Sequence, residues 1–129
     1  MYLTVLAFDF GEKRIGVAQG TTFSKLANPL KTIAFSSTTV KFDAIKKVID
    51  EWQPNQLVVG RPLHPDGTAH AVTALCERLA RQLGGRFNLP VALVDERYTS
   101  AIAALEGAKD LDARAAAIIL ESYFEQFHP

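Results

Sequence analysis

Leu6-Ala7-Phe8-Asp9-Phe10-Gly11-Glu12-Lys13-Arg14-Ile15-Gly16-Val17-Ala18 decides how this chain is read. An apolar run ends in a single carboxylate, turns through Gly11, and resumes as a second apolar run. Continuous apolar runs of this length read as strands buried on both faces, here joined by a tight turn. Asp9 therefore stands where a strand leaves the core. A carboxylate there needs turn amides, a strong donor or a cation, because an unpaired buried carboxylate costs several kcal/mol or more.

Working outward, strand and helix signals alternate without an internal repeat or a low-complexity linker. Strands are predicted over Leu3–Asp9, Arg14–Gln19 and Leu30–Phe35, with connections short enough for an antiparallel meander. Ile45, Val48, Ile49 and Trp52 share one helical face, and Pro54 closes that helix. Gln56–Val59 is a short strand, followed by a loop from Gly60 to Thr68 in which Asp66-Gly67-Thr68 reads as a turn and helix cap. Val72, Leu75, Cys76, Leu79 and Leu83 make the clearest amphipathic helix, with Gly84-Gly85 as its expected end. Val91–Val94 is another buried strand and runs into Asp95-Glu96-Arg97. A short Ala-rich helix is expected from about Ser100. A final helix from about Asp112 turns Ala115, Ala116, Ile119, Tyr123 and Phe127 inward. The order βββαβαβαα predicts a five-stranded mixed α/β sheet, the first, fourth and fifth strands parallel through right-handed crossovers.

That topology has a chemical consequence. The strand ends carrying Asp9, Gly60 and Asp95-Glu96 fall on one edge, where open α/β sheets bind ligands. Asp110 suits the cap of the final helix, and Asp112 sits in its first turn. If that helix packs against the sheet centre, Asp9, Glu96 and Asp112 can converge. Three carboxylates at one place repel each other, and a hard divalent cation such as Mg²⁺ relieves the repulsion.

Composition sets the limits. The 129 residues suit a single domain able to bury a core, and 48% apolar with 22% charged residues is ordinary for a globular protein. Fourteen basic residues balance fourteen acidic ones, so attraction to nucleic acid needs a local patch. A lone Cys76 favours a reducing compartment, and the absence of a signal or membrane-length segment predicts a cytoplasmic protein with no membrane partner.

Four segments together resemble, in order, the motifs of the YqgF/RuvX family: Phe8 to Ala18, Val59 to Thr68, Asp95 to Ser100 and Asp112 to Leu120. The resemblance spans essentially the whole chain. It implies an RNase H-like fold over residues 1–129 and a metal-dependent phosphodiesterase, described either as the nuclease that trims the 5′ end of precursor 16S ribosomal RNA or as a Holliday junction resolvase. By motif match Asp9, Glu96 and Asp112 are the acidic triad, holding Mg²⁺ or Mn²⁺. Asp95 competes with Glu96, but successive strand residues face opposite ways, and the motif match favours Glu96, with Asp95 tied to backbone or Arg97. Gly11, Lys13, Arg14, Gly60, Arg97 and Thr99 are the expected substrate contacts. Lys13 and Arg14 also suit an ordinary surface hairpin, the glycines plain turns, and Thr99 or Ser100 a helix cap. His64 and His70 read as solvent-facing, with assistance to proton transfer near neutral pH as the alternative.

The chain departs from the family pattern in carrying Arg61 where an apolar residue is usual, and His64-Pro65 where Asn-Met is usual. Its loop before the final helix, Glu106 to Leu111, is short, which removes a basic contact and predicts weak, salt-dependent binding. An actin-like or sugar-kinase ATPase also opens on an Asp-x-Gly hairpin, yet needs two such domains and more than twice this length. A binding module without hydrolysis is the other alternative, and an intact acidic triad argues against it. The expected partner is precursor ribosomal RNA ahead of branched DNA, with the protein a monomer or weak homodimer. Cutting a junction would require two sites on a symmetric dimer.

Overall fold

The computed structural model describes residues 2–63, 66, 68, 71–96 and 111–126. Five strands, β1 (Thr4–Asp9), β2 (Arg14–Thr21), β3 (Ala27–Ala34), β4 (Gln56–Pro62) and β5 (Val91–Glu96), form one sheet in the order β3-β2-β1-β4-β5. β1 pairs antiparallel with β2 and parallel with β4, and β4 pairs parallel with β5, as the meander-plus-crossover reading expected. Helices α1 (Thr38–Trp52) and α2 (Thr73–Phe87) cover one face, and α3 (Leu111–Gln126) covers the other. The short helix expected from Ser100, together with Arg97, Thr99, His64, His70 and Phe127, lies outside the described residues.

Strand alternation builds the two cores. Leu6 and Phe8 of β1, Ile15 and Val17 of β2, and Leu57 and Val59 of β4 point toward α1 and α2, where Phe42, Ile45, Val48, Cys76, Leu79 and Leu83 meet them. Val5, Ala7, Ala18, Val58 and Val94 point the other way, against Ala116, Ala117, Ile119, Leu120, Tyr123 and Phe124 of α3. Each large apolar side chain buried this way contributes roughly 1.5–3 kcal/mol over its exposed state. Small residues in the first half of α3 (Ala113, Ala115, Ala116 and Ala117) and on the sheet (Ala7 and Ala18) let that end of the helix approach closely. Replacing Ala7 or Ala116, both fully buried, by Leu would overpack that seam.

The ends of the elements follow local rules, with three departures. Ser37 caps α1, its hydroxyl accepting from the Val40 amide at 3.2 Å, and Gln53 ends it in the left-handed conformation before Pro54. α2 does not stop at Gly84-Gly85. It runs on to Phe87, whose ring packs on the core, and a left-handed Asn88 closes it. Burial of Phe87 outweighs the roughly 1 kcal/mol that each helical glycine costs. Nor does Asp66-Gly67-Thr68 cap α2: the Asp66 carboxylate accepts from Thr68, while the Thr73 hydroxyl at the helix start donates to the Pro62 carbonyl at 2.6 Å. β3 starts at Ala27, three residues before the expected Leu30. Pro29 is tolerated because β3 is an edge strand and the β2–β3 register slips between Val17 and Ala18.

Candidate active site

Asp9, Pro62 and Glu96 end β1, β4 and β5 at the same edge of the sheet. Asp9 is half-buried, and its register partner on β2 is Gly16. Gly16 is where α3 makes its closest approach. A Cβ there would overlap the Asp112 carbonyl and stand 2.9 Å from the Ala113 amide nitrogen. Only a residue without a side chain lets the first turn of α3 lie on β2 at this register. Asp112 is thereby held one strand away from Asp9. The backbone of Asp112 and the strand end that carries Asp9 are set on either side of a glycine that the sequence reading passed over.

Arg14, two residues before Gly16, completes this corner. Its Nε lies 3.2 Å from Oδ2 of Asp112, with the arginine side chain 65% exposed and the carboxylate 31%. A pair so open to water is worth at most about 1 kcal/mol, so it holds the carboxylate without locking it. Gly11, Glu12, Lys13, Arg14 and Asp112 line a cleft of about 280 Å³. Gly11 is required by the hairpin, since a Cβ would overlap the Arg14 carbonyl. The Phe35 amide donates to the Lys13 carbonyl at 3.1 Å and ties the hairpin to the exit of β3.

Of the two acids that end β5, Asp95 has a described side chain. Asp95 lies on the α2 side, where Oδ1 accepts from Arg61 Nε at 3.0 Å and Nη2 at 2.7 Å. Arg61 also reaches Glu77 of α2 through Nη1 at 3.3 Å. The two carboxylates, Asp95 foremost, hold the Arg61 guanidinium above its usual range. Among the described residues Asp95 is thus held by Arg61; Arg97, expected as its partner besides backbone, lies outside them. The sequence signal was the arginine itself, placed where the resembled family has an apolar residue. Glu96 closes β5 opposite Pro62. Gly60 is a buried strand residue paired with Val94 rather than the start of a loop. Among the described residues, no group of three or more His, Cys, Asp or Glu side chains gathers at one point. The adjoining Asp9 and Asp112 offer hard carboxylate oxygens, a donor chemistry that fits Mg²⁺ or Mn²⁺ rather than a soft metal.

Residues 3–126 match the family described as RuvX: Holliday junction resolvase. The chain belongs to this family. A protein of Polynucleobacter necessarius named "Putative pre-16S rRNA nuclease" is 52% identical over 128 residues, covering 96% of this chain and 86% of the relative. One of the same name from Chromobacterium violaceum is 52% identical over 132 residues, covering 94% of this chain and 96% of the relative. Among solved structures, the fowlpox virus Holliday junction resolvase superposes with a TM-score of 0.62 at 14% identity, over 96% of this chain and 99% of the other. Thermus thermophilus RuvC in complex with Holliday junction substrate gives 0.58 at 15%, over 96% and 94%. At such identities the likeness establishes the fold, which is the RNase H-like fold of those resolvases. A nuclease of this family and fold implies a divalent metal ion. Among the described residues, no helix is long and apolar enough to cross a membrane.

Proposed function

We propose that the chain is an endonuclease that hydrolyses phosphodiester bonds with a divalent metal, and that its substrate is the 5′ flank of precursor 16S ribosomal RNA. The observation that carries the chemistry is the seating of Asp112 beside Asp9 across Gly16, at the ligand-binding edge of an RNase H-like sheet. Asp9 and Asp112, with Glu96 from the end of β5, would hold Mg²⁺ or Mn²⁺. Such an ion, when bound, supplies Lewis acidity toward the scissile phosphate and a hydroxide at neutral pH. Asp95 is left out of this set because Arg61 occupies its carboxylate on the other face.

The remaining residues orient the substrate. Lys13 and Arg14 present positive charge at the mouth of the cleft, and Gly11 lets the backbone approach a phosphate closely. Arg14 balances the charge of Asp112 until substrate and metal arrive, then is free to meet a phosphate oxygen. Gly60, Arg97 and Thr99 complete the proposed contact set. The names of the relatives above support ribosomal RNA as substrate. The family description and the two resolvase structures favour a second reading, cleavage of junction DNA by a symmetric dimer.

The test is cleavage of precursor 16S RNA, linear duplexes and four-way junctions by the purified protein. Glu96→Gln and Asp112→Asn should each lower cleavage at least about a hundredfold while leaving binding equal or tighter. Loss of cleavage in Asp95→Asn with none in Glu96→Gln would move the third acid to Asp95. Depletion in the host followed by sizing of ribosomal RNA ends decides the substrate. Mature 5′ ends together with accumulating junctions would favour the second reading.

A further inference from the structure

On the face away from α3, a pocket of about 180 Å³ opens between the first turn of α1 and the middle of α2. Its lining includes Phe10, Thr38, Lys41, Arg78 and Gln82. Phe10 directly follows Asp9, and α1 and α2 both start from strands that end at the active-site edge, so pocket and cleft open at the same rim of the sheet. Leu75, which the helical pattern assigned to the core, instead borders this pocket and is 38% exposed.

The charges here are one-sided. Lys41 Nζ sits 4.9 Å from the Phe42 ring centroid and 5.3 Å from that of Phe35, and the Arg86 guanidinium stacks on Phe42 at 3.9 Å. Burial, then the nearby charges of Arg78 and Arg86, push the Lys41 ammonium below its usual range. Among the described residues no carboxylate pairs with Lys41, Arg78 or Arg86. α1 carries no acid in its first turn, where Thr38 and Lys41 stand, so the positive end of its dipole adds to the same field. Cation–π contact accounts for the seating of Lys41 and Arg86 but not for Arg78 beside them. Mutually repelling donors, with a threonine hydroxyl and a glutamine amide in the same wall, are arranged for an anion.

We propose that this pocket holds a backbone phosphate of the nucleic-acid substrate, away from the phosphate that is cut, so that one strand is gripped on both sides of β1. The proposal rests on the nucleic-acid reading above, though not on cleavage. It also explains how a chain of zero net charge would hold its substrate: the positive field is concentrated, not spread.

Lys41→Gln, Arg78→Gln and the double variant test it by fluorescence anisotropy with a labelled RNA duplex between 50 and 200 mM salt, alongside turnover. The double variant should lose affinity about tenfold or more at the lower salt and flatten the log–log salt slope by about one, since one lost phosphate contact removes nearly one released counterion. KM should rise by a similar factor while kcat at saturation stays within about twofold. Lys47→Gln, on the exposed side of α1, is the control and should change neither. Amide signals of Thr38 and Lys41 should shift on titration with inorganic phosphate, and lose that response in the double variant.

Unchanged affinity and slope in the double variant, with the wild type still cleaving, overturn the pocket and leave the nuclease standing. Loss of binding in the double variant of a protein that cuts nothing overturns the nuclease and leaves the pocket standing. A fall in kcat alone, or an equal loss in Lys47→Gln, also overturns the pocket. So does tight inorganic phosphate binding with RNA affinity untouched, which would make the ligand free phosphate.

Discussion

Gly16→Ala is the sharpest perturbation the structure offers, because one methyl group separates stability from chemistry. The new Cβ would overlap the Asp112 carbonyl and press on the Ala113 nitrogen at 2.9 Å, where ordinary contact begins near 3.4 Å. The first turn of α3 would have to back away by on the order of 1 Å, or β2 would have to bend. Overpacking of this kind costs about 1–3 kcal/mol, which for a domain of this size lowers Tm by roughly 3–10 °C. The effect on cleavage should be far larger: Asp112 moves with its helix, and a misplacement of about 1 Å costs about a hundredfold. Gly20→Ala is the matched control. It lies four residues, two pleat repeats, further along β2, and its Cβ would overlap the Leu26 carbonyl and meet the Phe124 ring at 2.9 Å, distant from Asp9 and Asp112. Thermal melts and single-turnover cleavage, measured well below both midpoints, should show similar destabilisation in the two variants and loss of activity in Gly16→Ala alone. Equal activity in both, at equal Tm loss, would refute the placement of Asp112 by Gly16.

Other outcomes follow from the same geometry. Mg²⁺ or Mn²⁺ should raise Tm, because the ion meets its ligands together only in the folded state, and Asp9→Asn should abolish the shift; an undiminished shift in the variant would remove Asp9 from the metal site. Arg14→Gln should tighten metal binding up to about fivefold, the worth of an exposed ion pair, while raising KM; weaker metal binding would contradict competition between Arg14 and the ion for Asp112. Burial holds the Tyr123 phenol above its usual 10, so the folded state keeps that proton longer than the unfolded chain. Stability is therefore full below about pH 10 and falls as pH climbs through the folded-state value; Tyr123→Phe should flatten that alkaline loss in urea melts, and an unchanged slope would exclude Tyr123 as its source.

The sheet was legible because its signals are local and agree with one another. Apolar runs broken by Asp9-Phe10-Gly11 and by Pro54 mark both strand ends and crossovers, and the parallel β1, β4 and β5 follow from connection lengths alone. Where the reading failed, tertiary packing had overruled local propensity. Phe87 draws α2 past two glycines, and a register slip admits Pro29 into β3. At the site, Asp9 and Asp112 were visible as unexplained carboxylates at element ends. Their meeting depends on a contact between residues nearly a hundred positions apart, written in the sequence only as a glycine inside an apolar strand. Arg61 stood out against the family pattern, yet its partners Asp95 and Glu77 lie on different elements, and no spacing rule pairs them.

The division of the core into two faces also orders assembly. α1, α2 and the strands between them bring together Leu6, Phe8, Ile45, Leu57 and Leu79 before residue 97 is needed, whereas among the described residues Val5, Ala7, Ala18, Val58 and Val94 take their cover from α3. A growing or truncated chain lacking α3 would expose a flat apolar sheet face and be prone to self-association. The same chain would carry Asp9 without Asp112. Folding and chemical competence would then arrive in one event, the docking of α3 over Gly16, and a nascent protein would be harmless to the nucleic acid around it until its fold is finished.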